Sequence, residues 1–143
     1  MNSIKQNTIE REATISGKGL HTGVEVTLTF KPAPENFGIK FKRIDLEGEP
    51  VIEANVSKVK GTSRGTVLKD GDVIISTIEH VMAALVAMGI DNVLMELNGP
   101  EAPILDGSAA GYVKTLTQAG LKVQDANREY FEIKRKIVYK NAV

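Results

Sequence analysis

A chain of 143 residues, 42% hydrophobic and 25% charged, is long enough to bury one core without disulfides or metal ions. Lysine plus arginine and aspartate plus glutamate both number 18, so no net positive charge favours binding to nucleic acid. The absence of cysteine excludes disulfides, thiol catalysis and cysteine-rich zinc sites, and no apolar run is long enough for a membrane span. We expect a cytoplasmic protein with one main domain and an attached segment.

The first part of the chain predicts an antiparallel sheet. Residues 8–16 alternate imperfectly and enter a glycine turn, which indicates a strand. Residues 24–31 alternate strictly between apolar and polar side chains, the pattern of a strand with one wet face. Residues 37–42 alternate in the same way after a proline-rich turn. We therefore expect these last two segments to pair as a hairpin.

A second hairpin leads into the first predicted helix. The Asp70-Gly71 turn separates two short apolar runs. Between Ile78 and Met88 every residue is apolar except Glu79 and His80. This pattern predicts a helix that is buried on most sides. Ser76 and Glu79 form a Ser-x-x-Glu capping box at its start, and Gly89 is a stop signal.

The last third predicts one more helix and three strands. Residues 93–97 are mostly apolar, and a proline-stiffened connection then leads to a helix capped by Asp106 or Ser108 and ending at Ala119. Residues 121–124 form a short closing strand. Residues 130–139 begin a new strand pattern after a polar linker. We predict an α+β domain over residues 1–126, followed by a linker and the first strand of a second, truncated domain over 127–143.

Glu79 and His80 each allow a structural and a chemical interpretation. Glu79 is either half of a capping box or a general base beside a metal-bound water. His80 is either a core histidine or a metal ligand. A catalytic zinc ion typically takes three protein ligands, and the chain has only two histidines. If His80 binds a metal, its partner ligands lie outside these residues.

Three loop positions are weaker candidates. His21 lies between glycines and is either a surface residue or a contact for a phosphate or sugar. The stretch Thr62-Ser63-Arg64 offers hydroxyls and a guanidinium that suit a polar ligand, although such loops are commonly just solvated. Asp106 is most simply a structural helix cap.

Four motifs in this order and spacing closely resemble the bacterial UDP-3-O-acyl-N-acetylglucosamine deacetylase family, which consists of zinc hydrolases of lipid A synthesis in Gram-negative bacteria. They are Gly19-Leu20-His21-Thr22-Gly23, Ser76-Thr77-Ile78-Glu79-His80, Gly89-Ile90-Asp91-Asn92 and Pro103-Ile104-Leu105-Asp106-Gly107-Ser108-Ala109. The resemblance covers essentially the whole chain. It implies two similar domains, each a two-layer sandwich with helices on one face of the sheet, and an active site between the helical layers.

The resemblance also implies roles for particular residues. Glu79 matches the general base, and His80 matches one of three ligands of Zn²⁺. His21, Thr62, Ser63 and Arg64 fall near the substrate, an acylated nucleotide sugar. The remaining zinc ligands belong to the second domain, so we expect this chain alone to be inactive.

Two non-catalytic alternatives remain open at this point. In one, the helical layer is a docking face, Glu79 caps the helix and His80 packs in the core. That alternative predicts self-association through exposed helices. In the other, the domain binds a nucleotide sugar without hydrolysing it.

Overall fold

The computed structural model describes residues 4–140 and has an α+β fold dominated by β-sheet. Two α-helices lie within this range, α1 (Glu79–Ala87) and α2 (Ala110–Ala119), together with a short 3-10 helix over Val56–Lys58. In chain order the ten strands within it are β1 (Lys5–Ile9), β2 (Ala13–Lys18), β3 (Glu25–Pro32), β4 (Ile39–Arg43), β5 (Val51–Glu53), β6 (Val59–Gly61), β7 (Val67–Asp70), β8 (Val73–Ile75), β9 (Val93–Leu97) and β10 (Leu121–Asn127).

The main sheet has the strand order β2-β3-β9-β4-β5, with smaller sheets β6-β7-β8 and β1-β10 beside it. The hairpin predicted between β3 and β4 is wrong, because β9 lies between these two strands. β9 pairs antiparallel to β3 and parallel to β4, so that Met95 is opposite both Phe30 and Phe41. All three of these side chains are fully buried. The apolar β9 therefore takes the central position, where burial is greatest.

Only one face of the main sheet is covered by the helices. On β3 the alternation predicted from the sequence is confirmed, with Val26, Leu28 and Phe30 buried and the intervening residues more exposed. On the opposite face, Glu96 lies 2.9 Å from Lys31 Nζ and 3.5 Å from Lys42 Nζ. This polar face accounts for the period-two pattern of the strands.

The strand expected over residues 8–16 is instead two strands in different sheets. β1 pairs with β10, and β2 pairs with β3. The break falls at three consecutive exposed charged residues, Glu10, Arg11 and Glu12. The predicted hairpin of β7 and β8 is confirmed, and the closing strand is longer than the predicted residues 121–124.

The first helix begins at Glu79, and the predicted capping box is wrong. Ile78 occupies the N-cap position without a side-chain cap. The Ser76 hydroxyl instead donates to the Pro100 carbonyl at 3.2 Å, and Ser76 forms a backbone bridge with Glu101. The Ser76 hydroxyl that was predicted to cap the helix thus binds the neighbouring segment around Pro100. The predicted stop at Gly89 is confirmed, with φ of 66° there.

The expectation that α1 is buried on most sides is also wrong for the described residues. Val81, Ala84 and Leu85 are buried in the core. Ala83, Val86 and Ala87 are exposed, and Val86 retains 73% of its accessible surface. Helical spacing places these exposed residues on the side of α1 that carries Glu79 and His80. An apolar surface therefore adjoins the two candidate site residues.

The second helix is anchored by a buried tyrosine. The Tyr112 hydroxyl donates to the Pro103 carbonyl, and the ring packs edge-on against Phe30 at 6.4 Å between centroids. Ala109 holds the N-cap position without a side-chain bond, while the Ser108 hydroxyl accepts from the Ala110 N–H at 3.1 Å.

Residues 128–140 contain no helix or strand, so the strand predicted over 130–139 is absent from the described part of the chain. A strand requires a neighbour for its hydrogen-bond ladder, and Phe131 is 93% exposed. Arg128 holds the start of this segment, with Nε at 2.8 Å from Asp91 Oδ1 and Nη2 donating to the Gly89 carbonyl. Residues 141–143, at the end of the predicted second-domain segment, lie outside the described residues. Neither described helix has the length and apolar character of a membrane-spanning helix.

Candidate functional site

The two candidate residues of α1 occupy its first turn, and both are partly accessible. The Thr66 N–H donates to Glu79 Oε2 at 2.9 Å, while Oε1 lies 3.9 Å from His80 Nε2. The side chains of Glu79 and His80 are 37% and 27% exposed. One carboxylate oxygen of Glu79 is thus bound by the loop that precedes β7, and not by the helix to which Glu79 belongs. Its other oxygen faces the imidazole.

His21 joins this neighbourhood through the loop before β7. Its Nε2–H donates to the Arg64 carbonyl at 2.9 Å. A carbonyl only accepts, so Nε2 is the ring nitrogen that carries hydrogen in this bond. A Cβ added to Gly65 would lie 3.4 Å from Glu79 Oε1 and 3.8 Å from His21 Nε2. Gly65 therefore lies close to both the imidazole of His21 and the carboxylate of Glu79.

The other sequence-predicted residues differ in their relation to this centre. Thr62, Ser63 and Arg64 are exposed in the bend leading to Gly65, with Arg64 in the left-handed region at φ 63°. Asp106 is exposed at the approach to α2, where Oδ1 accepts from the N–H and hydroxyl of Ser108. These bonds lower the pKa of Asp106 and connect it to the turn before α2.

Sequence reasoning missed Glu101, a carboxylate that is only 1% exposed. Oε1 accepts from the Thr77 hydroxyl at 2.7 Å and from the His21 N–H at 3.1 Å. Oε2 accepts from the Thr22 N–H at 2.8 Å. Burial alone raises the pKa of Glu101, but hydrogen bonds from Thr77, Thr22 and His21 outweigh it and lower the pKa.

One sequence signal could have drawn attention to Glu101. It lies between Pro100 and Ala102-Pro103, four residues after the end of the apolar strand β9. A charged residue in such an apolar, proline-restricted segment has few ways to reach water, and a buried charge requires partners. The partners themselves come from residues 19–23 and 76–80, which are distant in sequence.

The segments that surround Glu101 show unusual backbone geometry. Thr77 has φ of 57°, a strained conformation for a β-branched residue. Gly19 is buried, and a Cβ there would overlap Glu101 Oε2 and Thr22 Oγ1. Both features bring polar groups close to one carboxylate. With this backbone conformation, Thr77 donates its hydroxyl to Glu101.

A cleft of ≈ 210 Å³ adjoins Glu79. Its walls are mainly apolar and come from the 3-10 helix region, β7 and α1. The apolar lining residues are Ala54, Val56, Val59, Leu68, Ile78 and Met82.

The donor groups of this chain fit part of a zinc site. Residues 4–140 contain no group of three or more histidine, cysteine, aspartate or glutamate side chains placed to hold a metal. His80 offers an accessible imidazole with a carboxylate beside it, whereas Nε2 of His21 is engaged with Arg64. A catalytic zinc ion typically takes three protein ligands. The described residues therefore fit one ligand of such a site and do not complete it.

Comparison with known proteins relates the chain to one enzyme family. The family model described as "LpxC: UDP-3-O-acyl N-acetylglycosamine deacetylase" matches residues 6–142. A bifunctional enzyme LpxC/FabZ of Porphyromonas gingivalis is 53% identical over 93% of this chain and 29% of its own length. The enzyme of the same name from Bacteroides thetaiotaomicron is 51% identical over 96% of the chain and 30% of its length.

A relative whose name gives a single activity also matches most of this chain. The UDP-3-O-acyl-N-acetylglucosamine deacetylase of Citrifermentans bemidjiense is 48% identical over 94% of this chain and 44% of its own length. The chain thus spans less than half the length of these relatives.

Proposed function

Because the chain belongs to the UDP-3-O-acyl-N-acetylglucosamine deacetylase family, we propose that the whole protein removes acetate from an acylated UDP-N-acetylglucosamine in lipid A synthesis. The observation that carries this proposal is the pairing of Glu79 and His80 at one accessible helix end, with His21 beside them. Amide hydrolysis needs a proton acceptor for water and a group that stabilises the developing oxyanion.

In this proposal Glu79 is the proton acceptor. The Thr66 N–H holds Oε2, so the carboxylate presents Oε1 toward His80. Fixing one oxygen restricts rotation of the side chain and aims the other, which is the positioning that general-base catalysis requires. The proton taken from water must then reach the leaving amine nitrogen as the C–N bond breaks, and the same carboxylate can return it there.

His80 is proposed as one ligand of a zinc ion, with the remaining ligands supplied by parts of the whole protein outside this chain. Zinc, when bound, polarises a carbonyl oxygen and lowers the pKa of water. His21 and the Thr62-Ser63-Arg64 bend are proposed to contact the polar part of the substrate, because they flank Gly65 next to Glu79. By this account the chain alone is inactive.

Two substitutions in the intact protein test these roles. We expect Glu79→Gln to reduce kcat by about 10²- to 10⁴-fold with zinc content unchanged, because only proton transfer is lost. We expect His80→Ala to lower the zinc content itself. Glu96→Gln makes the same chemical change on the opposite sheet face and should leave both quantities unchanged. Full deacetylation by Glu79→Gln would refute the assignment of the base.

The non-catalytic docking alternative is kept for one reason, the exposed apolar side of α1 around Val86. If this surface docks to a second copy, the isolated chain should self-associate at high concentration. Sedimentation velocity across a concentration series measures this. A strictly monomeric chain would argue against self-association, whereas activity of the intact protein that depends on Glu79 would argue against a purely non-catalytic role.

A further inference from the structure

We propose that Glu101 is a positioning residue that holds the His21 turn and the start of α1 in one fixed arrangement. The inference rests on the proposed function for its catalytic meaning. Its structural content, the coupling of two segments through one carboxylate, is independent of that function.

Glu101 is suited to this task because it is an acceptor only 1% exposed, with three donor groups around it. Its contacts with the His21 N–H, the Thr22 N–H and the Thr77 hydroxyl are all between 2.7 and 3.2 Å. Hydrogen bonds to an ionised acceptor are stronger than neutral ones, and a buried carboxylate that lost these donors would be left unsatisfied.

The two arms from Glu101 meet again at Glu79. One arm runs through the His21 turn, where the His21 ring donates to the Arg64 carbonyl. Thr66 lies two residues after Arg64, and its N–H donates to Glu79. The other arm runs through Thr77, two residues before Glu79. The contacts therefore close into a ring, and Glu101 is the member that belongs to both arms.

The backbone around Glu101 is built for this close approach. Gly19 leaves space that a Cβ would take from the carboxylate, and Thr77 adopts φ of 57°. Ser76 also pairs with Glu101 through a backbone bridge, which places the 100–102 segment directly beneath the start of α1. A merely buried glutamate would need none of these adjustments.

Nuclear magnetic resonance of the ¹⁵N-labelled full chain tests the proposal without measuring activity. In the native chain the His21 ring should show the Nε2–H form, and the Thr66 amide should exchange slowly with solvent. We expect Glu101→Gln to mix the two His21 tautomers and to speed Thr66 exchange by about tenfold, because an amide cannot accept from all its neighbours. Native signals for both residues in Glu101→Gln would overturn the proposal.

A second pair of variants serves if Glu101→Gln does not fold. Thr77→Val keeps the branched shape but lacks the hydroxyl donor, whereas Thr77→Ser keeps the donor. We expect Thr77→Val to speed Thr66 exchange and Thr77→Ser to restore native behaviour. Equal effects of the two variants would overturn the proposal, because they would show that shape and not the hydrogen bond matters.

Matched controls separate positioning from general loss of charge or function. Glu96→Gln removes a carboxylate on the opposite sheet face and should leave the His21 and Thr66 signals native; altered signals in this control would count against the proposal. In the intact protein, Glu101→Gln should lower kcat by about tenfold and raise KM, because it frees both the start of α1 and the His21 turn that is proposed to contact the substrate. Failure of Glu79→Gln to lower turnover would refute the proposed role of Glu79, and absence of deacetylation by the intact native protein would refute the proposed function, while the resonance signals alone decide the positioning role.

Discussion

Replacement of Gly65 by alanine should destabilise the chain because of its backbone and not because of crowding. The new Cβ would lie 3.4 Å from Glu79 Oε1 and 3.7 Å from Thr77 Oγ1, which is ordinary van der Waals contact. The backbone φ is 152°, a conformation essentially confined to glycine. A strain of about 1–3 kcal/mol is expected for a residue held in such a region.

An opposing contribution comes from the unfolded state. Alanine restricts the unfolded chain and contributes about 0.4–1 kcal/mol of stability. The net loss should therefore lie between about 0 and 2.6 kcal/mol, which corresponds to a fall in Tm of up to about 8 °C for a chain of this size. Urea denaturation followed by circular dichroism measures the change as a lower midpoint with an unchanged slope.

Gly61→Ala is the matched control for this experiment. Gly61 lies in β6, and its added Cβ would be no closer than 3.8 Å to Val67. Its backbone needs no left-handed conformation, so this variant should be as stable as the native chain or slightly more stable. If Gly65→Ala proved as stable as Gly61→Ala, the strain argument for the site loop would be refuted.

Three further outcomes are expected. Tyr112→Phe should lower the free energy of unfolding by about 1–3 kcal/mol in urea titrations, because the buried Pro103 carbonyl loses its donor; an unchanged midpoint would contradict this. Leu85→Ala should lower the free energy of unfolding by about 2–5 kcal/mol in thermal melting, since Leu85 is fully buried in the core. A loss under about 1 kcal/mol would show that the core closes around the missing side chain and would contradict this expectation. The pKa of Glu101 is lowered in the folded state, so its contribution to stability is present above its ordinary value of 4.5 and is lost as pH falls through the lower folded value. Denaturation across this acid range should show a steeper pH dependence for the native chain than for Glu101→Gln.

The sequence pattern was a good guide where side chains alternate with the local period. β3 alternates strictly and forms a strand with one buried face, and the Asp70-Gly71 turn joins a real hairpin. The pattern was a poor guide to strand order. Nothing in residues 24–42 indicates that a strand more than 50 residues later will lie between them, because that pairing depends on long-range burial.

The candidate site shows the same division between local and long-range information. Glu79, His80 and His21 are recognisable from motifs, and the structure brings all three to one place. The hydrogen-bonding role of Glu101 cannot be predicted from its neighbours in sequence, since its donors come from two distant segments. The failed capping box has a related cause. Ser76 and Glu79 bind Pro100 and Thr66 instead of each other, so tertiary contacts replace the local cap.

The central position of β9 has a consequence for the order of folding. The β2–β3 and β4–β5 pairs can each form as soon as their residues are synthesised. No backbone hydrogen bonds connect the two pairs until β9 inserts between β3 and β4. Such non-local pairing comes late because the loop must close first. Glu101 follows the end of β9 by four residues, so the step that completes the sheet also delivers the buried carboxylate beneath α1. A chain stalled before this insertion would have a free sheet edge on each hairpin and no assembled site.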